Sequence, residues 1–435
     1  MLKPFTSLVH IMTSIANFVS LLAIPKGPIL SVIKELVSHI FGLGFLFKSR
    51  PPCPSFSTLQ SLLPDDVLIE IFLRLPSHPT CLLRASLVCK HWHFLITNRE
   101  FISRFYACHR TPLLGIFTNS TSIPRFLTIG NPADCVAATA FSLPDPCWQV
   151  LCCRHNRVLL VSTTWRELLV WNPMTGNKHL IPAAPSADPR YNYGRVPESN
   201  AAVLCAGSHT EHGECHTSDF FVVWAFTCIR YAYACIYSSQ DGRWDLKASS
   251  PIPSELDSRP SILLRDILYW PLKSKFILAF EMATHRLYHI ECPPDTHEVY
   301  RRNVHIMRSE AGGLGLAAVI KFNMHIWSWE IDDEGVTRWV LCKIIELDKF
   351  LPKEVPSFLC INDQLARRPP LRILCLVEDD YLVFIWTKVG VFTVQLNSMK
   401  FEKVFDADVC ATLYPYTGFC IAGAAGCDRE NLGAK

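Results

Sequence analysis

Residues 62–105 read LLPDDVLIEIFLRLPSHPTCLLRASLVCKHWHFLITNREFISRF. Pro64 stands where a first helical position belongs, since its missing N–H is no loss there. Asp65 and Asp66 follow in the first turn, where carboxylates suit the positive end of the helix dipole. Val67, Leu68, Ile71, Phe72 and Leu75 recur at helical spacing and predict one wide apolar face. Pro76, Ser77, His78 and Pro79 stop that helix. Two further runs, Cys81–Cys89 and Lys90–Thr97, are again helical in period. Each is too short to stand alone, so the three must pack together. The expected unit carries more apolar surface than so short a chain can bury, which points to a protein partner.

At this level the stretch resembles an F-box: Leu-Pro-Asp-Asp at the start, Arg-Leu-Pro after one long helix, then Ser-Leu-Val-Cys-Lys-x-Trp. The resemblance implies binding to a Skp-family linker, and through it to the cullin of a ubiquitin ligase. The apolar positions that match the F-box pattern are Leu63, Pro64, Ile71, Leu75, Pro76, Leu83, Val88, Cys89 and Trp92, and the resemblance implies the linker contact there. Some of them must also form the small core of the module itself.

Composition narrows the remaining classes. A chain of 435 residues is long enough for two or three domains. The charge balance, 42 Lys+Arg against 39 Asp+Glu, gives no broad electrostatic case for nucleic acid. The nineteen cysteines are scattered without any Cys-x-x-Cys, a pattern that suits reduced thiols in the cytoplasm or nucleus better than a disulfide framework.

The first fifty residues resist assignment. Residues 5–24 hold no charged side chain, although Thr6, Ser7, His10, Thr13, Ser14, Asn17 and Ser20 dilute the apolar run. A membrane anchor, a signal or transit peptide with only Lys3 as its basic region, and a weakly structured leader all remain open. A Pro/Ser linker, RPPCPSFS over 50–57, then leads into the helical module, which is taken as 58–108.

From Thr111 the helical period gives way to short β-rich runs between turn signals. Leu113–Phe117 and Arg125–Ile129 are candidate strands. Trp148–Cys153, Arg157–Ser162, Glu167–Trp171 and Lys178–Ile181 form a clearer unit, with the turn Asn172-Pro173-Met174-Thr175-Gly176 before its last strand. Related units centre on Gly242, Ala283, Gly335 and Ser398, each with three or four strands. Four-stranded units at this spacing predict β-propeller blades over 109–425. Five blades are visible, and the weak strands at 113–129, with the chain end, could supply a sixth. A pair of β-sandwiches with irregular hairpins is the competing architecture. The WNPMTG turn also resembles the kelch-like, F-box-associated domain that follows many plant F-boxes and binds their substrates. Kelch glycine doublets do not recur, Gly312-Gly313 being the only one.

No constellation calls for chemistry. Cys205, His209, His212, Cys215 and His216 are zinc-ligand types, but their spacing matches no zinc finger and they read as a polar inter-strand loop. Arg308–Gly315 is glycine-rich yet lacks the Lys-Ser/Thr of a phosphate loop. Asp332-Asp333-Glu334 and Glu378-Asp379-Asp380 read as solvated turns. Trp224, Trp270, Trp327, Trp329 and Trp386 lie in expected strands and read as core. No cofactor or metal is expected.

The expected molecule is therefore α+β and multidomain: a three-helix F-box followed by an all-β propeller-like domain that holds a target protein for ubiquitin transfer. It would itself make and break no bonds. The loop containing Arg190, Tyr191, Tyr193 and Arg195 is the candidate for target capture, because Tyr and Arg are favoured interface anchors and loops carry specificity. An enzyme built on the propeller and a membrane-tethered F-box scaffold are the rival readings.

Overall fold

A computed structural model describes residues 64–75, 79–109, 111–119, 124–129, 141–142, 147–184, 198–206, 219–228, 230–299, 301–351, 371–377, 381–406 and 412–418. Among the described residues four helices come first: α1 (Asp65–Leu73), α2 (Pro79–Ser86), α3 (Lys90–Thr97) and α4 (Arg99–Cys108). The sequence reading expected three. The fourth begins at Asn98, whose side chain accepts from the Glu100 N–H at 2.8 Å. Asn98 is thus the N-cap of a helix that the periodic runs ending at Thr97 do not include. The packing shows why α4 forms: Phe101 and Phe105 are buried beside Phe72, with Phe72 and Phe101 edge to face at 6.3 Å. Polar ties fix the helices further. Glu70 of α1 accepts from Arg74 at 2.5 Å and from Arg104 of α4 at 2.6 Å. The Arg74 hydrogen bond is the first cause holding the Glu70 carboxyl below its ordinary value. His91 of α3 meets Asp65 of α1 at 2.7 Å.

The described strands form a six-bladed propeller. Five blades are four-stranded antiparallel sheets whose strands follow one another outward from the axis: β3 (Trp148–Arg154) to β6 (Lys178–Pro182), β7 (Glu198–Cys205) to β10 (Arg243–Pro251), β11 (Ile262–Leu264) to β14 (Arg286–Glu291), β15 (Val304–Arg308) to β18 (Thr337–Glu346), and β19 (Arg372–Val377) to β22 (Lys400–Phe405). The first blade is composite, in the order β2 (Arg125–Thr128), β1 (Leu113–Thr118), β23 (Leu413–Thr417). Phe117 pairs with Tyr414 and Leu113 with Thr417, so the last described strand supplies the innermost strand of the first blade and shuts the ring. Closure leaves no blade without a neighbour.

Three innermost strands carry no strand signal in the sequence: Glu198–Cys205, whose first three residues fall in the loop expected over 183–200, Ile262–Leu264 and Val304–Arg308. Innermost strands have little room around the axis, so they are short or built of small residues, as at Ala201 and Ala202, both fully buried. They lack the alternation that marks a half-exposed strand.

Outward, the blades hold one another through a recurring device. The turn before each last strand is followed by a basic residue and then, in three blades, a large ring. Trp244 Nε1 donates to the Pro182 carbonyl of the preceding blade at 2.7 Å, and Trp339 Nε1 to that of Glu291 at 2.7 Å. Phe401 stacks on Phe350 at 4.9 Å. Inward, buried amides do the same work. Asn119 exchanges two hydrogen bonds with Val150, at 2.8 and 2.9 Å. Asn200 donates to the carbonyls of Asp257 and Arg259. Asn303 donates to Leu371 O at 2.8 Å. Each satisfies a backbone carbonyl that faces the next blade and would otherwise be stranded without water. Among the strand tryptophans, Trp224, Trp270 and Trp327 are core as read, while Trp329 and Trp386 are half-buried.

Candidate functional site

The alternation of the blades sorts every connection onto one of two faces. Turns from first to second and third to fourth strands share one face. Turns from second to third strands, and the crossovers to the next blade, share the other. The helical module sits on the first of these. Its α4 ends there, and the Asn156 side chain in the turn between β3 and β4 (Arg157–Ser162) donates to the Tyr106 hydroxyl at 3.2 Å. Tyr416 of the closing strand donates to the Asn156 carbonyl at 3.1 Å, so module, second blade and ring closure meet at one residue. Asn156 has a positive φ of 57°, a conformation that Asn tolerates better than most residues. Leu83 of α2 packs against the apolar cluster of the first two blades, beside Leu114 and Cys153.

This geometry divides the nine apolar positions of the helical module. Ile71, Leu75 and Trp92 lie in its own core, with Trp92 edge to face on Phe72 at 4.9 Å. Leu83 belongs to the junction with the propeller. Val88 and Cys89 are half-buried against the helical core, and the Cys89 sulfur caps α3 by accepting from Trp92 N–H at 3.4 Å. Pro64 is exposed at the head of α1. Leu63 and Pro76 lie outside the described residues. Among the described residues of the module two large apolar side chains stay bare: Leu87 is 67% exposed and Phe94 66% exposed. Both sit in apolar runs where periodicity alone could not assign a face.

On the propeller, Arg190, Tyr191, Tyr193 and Arg195 lie outside the described residues. Their anchors do not: the chain leaves β6 and enters β7 at Glu198, a crossover on the face opposite the helical module. Beside it Lys273 holds Glu198 and Glu255, the latter at 3.0 Å. Of the Cys/His group only Cys205 is described. It is 3% exposed at the end of β7, where the Arg157 guanidinium donates to its sulfur at 3.0 Å. The remaining members lie outside the described residues, as does Glu378-Asp379-Asp380. Asp332, read as a solvated turn residue, caps its turn by accepting from Glu334 and Val336 N–H at 3.1 and 2.8 Å. Among the described residues no group of three or more His, Cys, Asp or Glu side chains could hold a metal ion. Among them, too, no helix is long and apolar enough to cross a membrane; residues 5–24 fall outside that set.

A cavity of about 1290 Å³ is lined by innermost-strand residues such as Leu204 and Cys375, by turn residues of one propeller face such as Asp266 and His285, and by Tyr106 and His109 of the helical module. His305 stands in its wall, its Nε2 within 2.9 Å of the Arg302 carbonyl and 3.1 Å of the Ile373 carbonyl. Burial, and then the Arg259 charge, push its pKa down to about 3. The ring is neutral at physiological pH, with Nε2 as the donor. Burial pushes the Cys153 and Cys375 thiols well above their ordinary value, so both stay protonated.

A helical F-box module on an all-β six-bladed propeller defines an F-box/propeller protein. Comparison with known proteins gives the same two parts. Residues 60–107 match the F-box-like family, and residues 149–417, more than half of the chain, match the family described as F-box protein AT5G49610-like, beta-propeller. The chain belongs to this F-box/β-propeller family. Its relatives include F-box protein At3g22700 of Arabidopsis thaliana, 24% identical over 71% of this chain and 94% of that protein. Putative F-box protein At5g52610 of the same plant is 25% identical over 65% of this chain and 78% of that one. F-box/LRR-repeat/kelch-repeat protein At2g27520, also of that plant, is 23% identical over 78% of this chain and 90% of its own length.

Proposed function

We propose that this chain is the substrate-recognition adaptor of a Skp–cullin–F-box ubiquitin ligase. The F-box docks on a Skp-family linker, the linker holds the cullin, and the kelch-like propeller holds a target protein. The observation that carries this reading is an F-box whose own core is complete while Leu87 and Phe94 stay two-thirds exposed. Bare large apolar side chains on a small closed module suit a protein interface, where a few anchors carry most of the energy. Pro64, Val88 and Cys89 are accessible enough to join them.

In this reading the chain performs no bond chemistry. It raises the effective concentration of the target near the conjugating enzyme. That role favours a fixed spacing between the two binding parts, and the Tyr106–Asn156–Tyr416 contacts with the Leu83 packing suit it. Target capture falls to the crossover face, away from the F-box, with Arg190, Tyr191, Tyr193 and Arg195 as its anchors. The test is affinity purification of the tagged full-length chain with the proteasome inhibited. Recovery of a Skp-family protein, a cullin and a ubiquitin-modified target is expected. Recovery of targets without any Skp-family protein would refute the adaptor role.

A further inference from the structure

The fifth blade carries apolar surface that its neighbour does not cover. Ile331, Val336, Leu341 and Ile344, exposed by 72, 56, 44 and 50%, all lie on one outer hairpin, β17 (Asn323–Ile331) with β18. Among the described residues no other blade carries more than two exposed large apolar side chains. The register sorts them. Ile331 pairs with Thr337, Trp329 with Trp339 and Trp327 with Leu341, and a bulge at Cys342 keeps Ile344, opposite His325, on the same side. Alternation therefore puts Ile331, Leu341 and Ile344 on one face of the hairpin. They share it with the half-buried rings of Trp329 and Trp339, 5.0 Å apart. That face is turned to the fourth blade, against which both tryptophans pack. The outermost strand there, β14, has six residues against ten in β18, and Trp339 donates to Glu291 at its end. Leu341 and Ile344 follow Trp339 along β18 and stay in water.

The tip of the hairpin is acidic. Glu330, Asp332, Asp333 and Glu334 stand there against Arg338, which pairs with Asp332 at 3.6 Å. No cation among the described residues pairs with the other three carboxylates. The Cys342 thiol, exposed on β18, registers them: partial burial and then the Glu330 charge raise its pKa above the ordinary value. An aliphatic strip that ends in unpaired carboxylates fits a segment that is both apolar and basic. The chain contains one. Residues 26–50 read KGPILSVIKELVSHIFGLGFLFKSR, with Lys26, Lys34, Lys48 and Arg50 against Glu35 and long apolar side chains between them. The tether is long enough. The turn 332–336 belongs to the propeller face that bears the F-box, and Tyr106 and His109 line the same cavity as Arg308 and Gly312 of the fifth blade. From Arg50 to Pro64 the chain can span about 45 Å. The innermost and outermost strands of a blade are only about 15 Å apart.

We propose that residues 26–50 dock along the outer hairpin of the fifth blade, with their apolar side chains on Ile331, Leu341 and Ile344 and their cations at Glu330, Asp333 and Glu334. The contact would tie the start of the chain to the propeller at a second place, besides the Tyr106–Asn156 junction. It is separate from Leu87 and Phe94 and from residues 190–195, so its failure would leave the adaptor reading standing.

The test uses the full-length protein. A carbodiimide joins an amine to a carboxylate in direct contact, and it is expected to link Lys26, Lys34 or Lys48 to Glu330, Asp333 or Glu334 within the monomer. Hydrogen exchange over 331–346 reports the cover. At an effective concentration on the order of 1 mM, a segment with a Kd of about 100 µM is seated about ten times as often as it is free. Reversing its charges (Lys26→Glu, Lys34→Glu, Lys48→Glu and Arg50→Glu together) should therefore speed exchange over 331–346 about tenfold and leave 65–108 unchanged. Replacing Ile331, Leu341 and Ile344 together with Ser should abolish the links with little change in thermal midpoint, since all three are exposed. Should that variant fail to fold, the charge-reversed protein decides the case, because its hairpin is untouched. Links found only in dimers would give the face to a second copy. Binding to anionic vesicles, with equal exchange over 331–346 in wild-type and charge-reversed protein, would give the segment to a membrane. Either result, or the absence of these links from the wild-type protein, would overturn the proposal.

Discussion

Replacing Trp92 and replacing Phe94 should fail in opposite ways, although the two stand on the same short helix. Trp92 is 8% exposed and meets Phe72 edge to face at 4.9 Å. Truncating such a ring to Ala costs about 3–5 kcal/mol in lost transfer energy and cavity. At roughly 0.05–0.15 kcal/mol per residue a module of this size holds only a few kcal/mol in all. Trp92→Ala is therefore expected to unfold the F-box, and linker binding disappears with the fold. Phe94 is 66% exposed, so Phe94→Ala should change stability by no more than about 0.5 kcal/mol. If it anchors the linker, it should cost about 2 kcal/mol or more of binding, some thirtyfold in Kd. Leu87→Ala should behave like Phe94→Ala. Titration calorimetry against a purified Skp-family protein measures the affinity. Hydrogen exchange over 65–108 reports whether the helices remain folded. Undiminished affinity in the Leu87→Ala, Phe94→Ala double variant, with the module folded, would refute the assignment of the docking surface. A folded Trp92→Ala protein would refute the account of the core.

Three further outcomes follow from the propeller. Ending the chain after Asp406 removes Leu413, Tyr414 and Tyr416, exposed by 0, 4 and 1%; at about 1.5–3 kcal/mol per buried side chain the loss is about 4.5–9 kcal/mol, so the truncated ring should lose its cooperative thermal transition, and an unchanged midpoint would contradict the closure. His305 has a folded pKa depressed to about 3 from 6.5, so the unfolded chain takes up its proton first and stability is lost as pH falls from about 6.5 towards 3; His305→Gln should flatten the midpoint-against-pH curve there, and identical slopes would refute a buried neutral imidazole. Replacing Arg190, Tyr191, Tyr193 and Arg195 together with Ser should lower target recovery while linker binding and thermal stability stay near wild type; equal recovery of the same targets would move the search to other loops.

The sequence by itself determined what local chemistry encodes. The helix that begins at Pro64-Asp65-Asp66 and carries its apolar stripe through Leu73 is legible because period and dipole act within a few turns. The strand–turn–strand units are legible because Asn172, Asp332 and the glycines at 176, 242 and 335 carry turn geometry in their own side chains or in their tolerance of positive φ. The tertiary structure decided everything that depends on distant neighbours. Glu198–Cys205 is a strand because two blades enclose it. Leu413–Thr417 belongs to the first blade because it pairs with residues some three hundred positions earlier. Exposure within the F-box was equally hidden: Trp92 and Phe94 lie two positions apart in one apolar run, and only the packing of α1 and α4 buries the first and leaves the second in water.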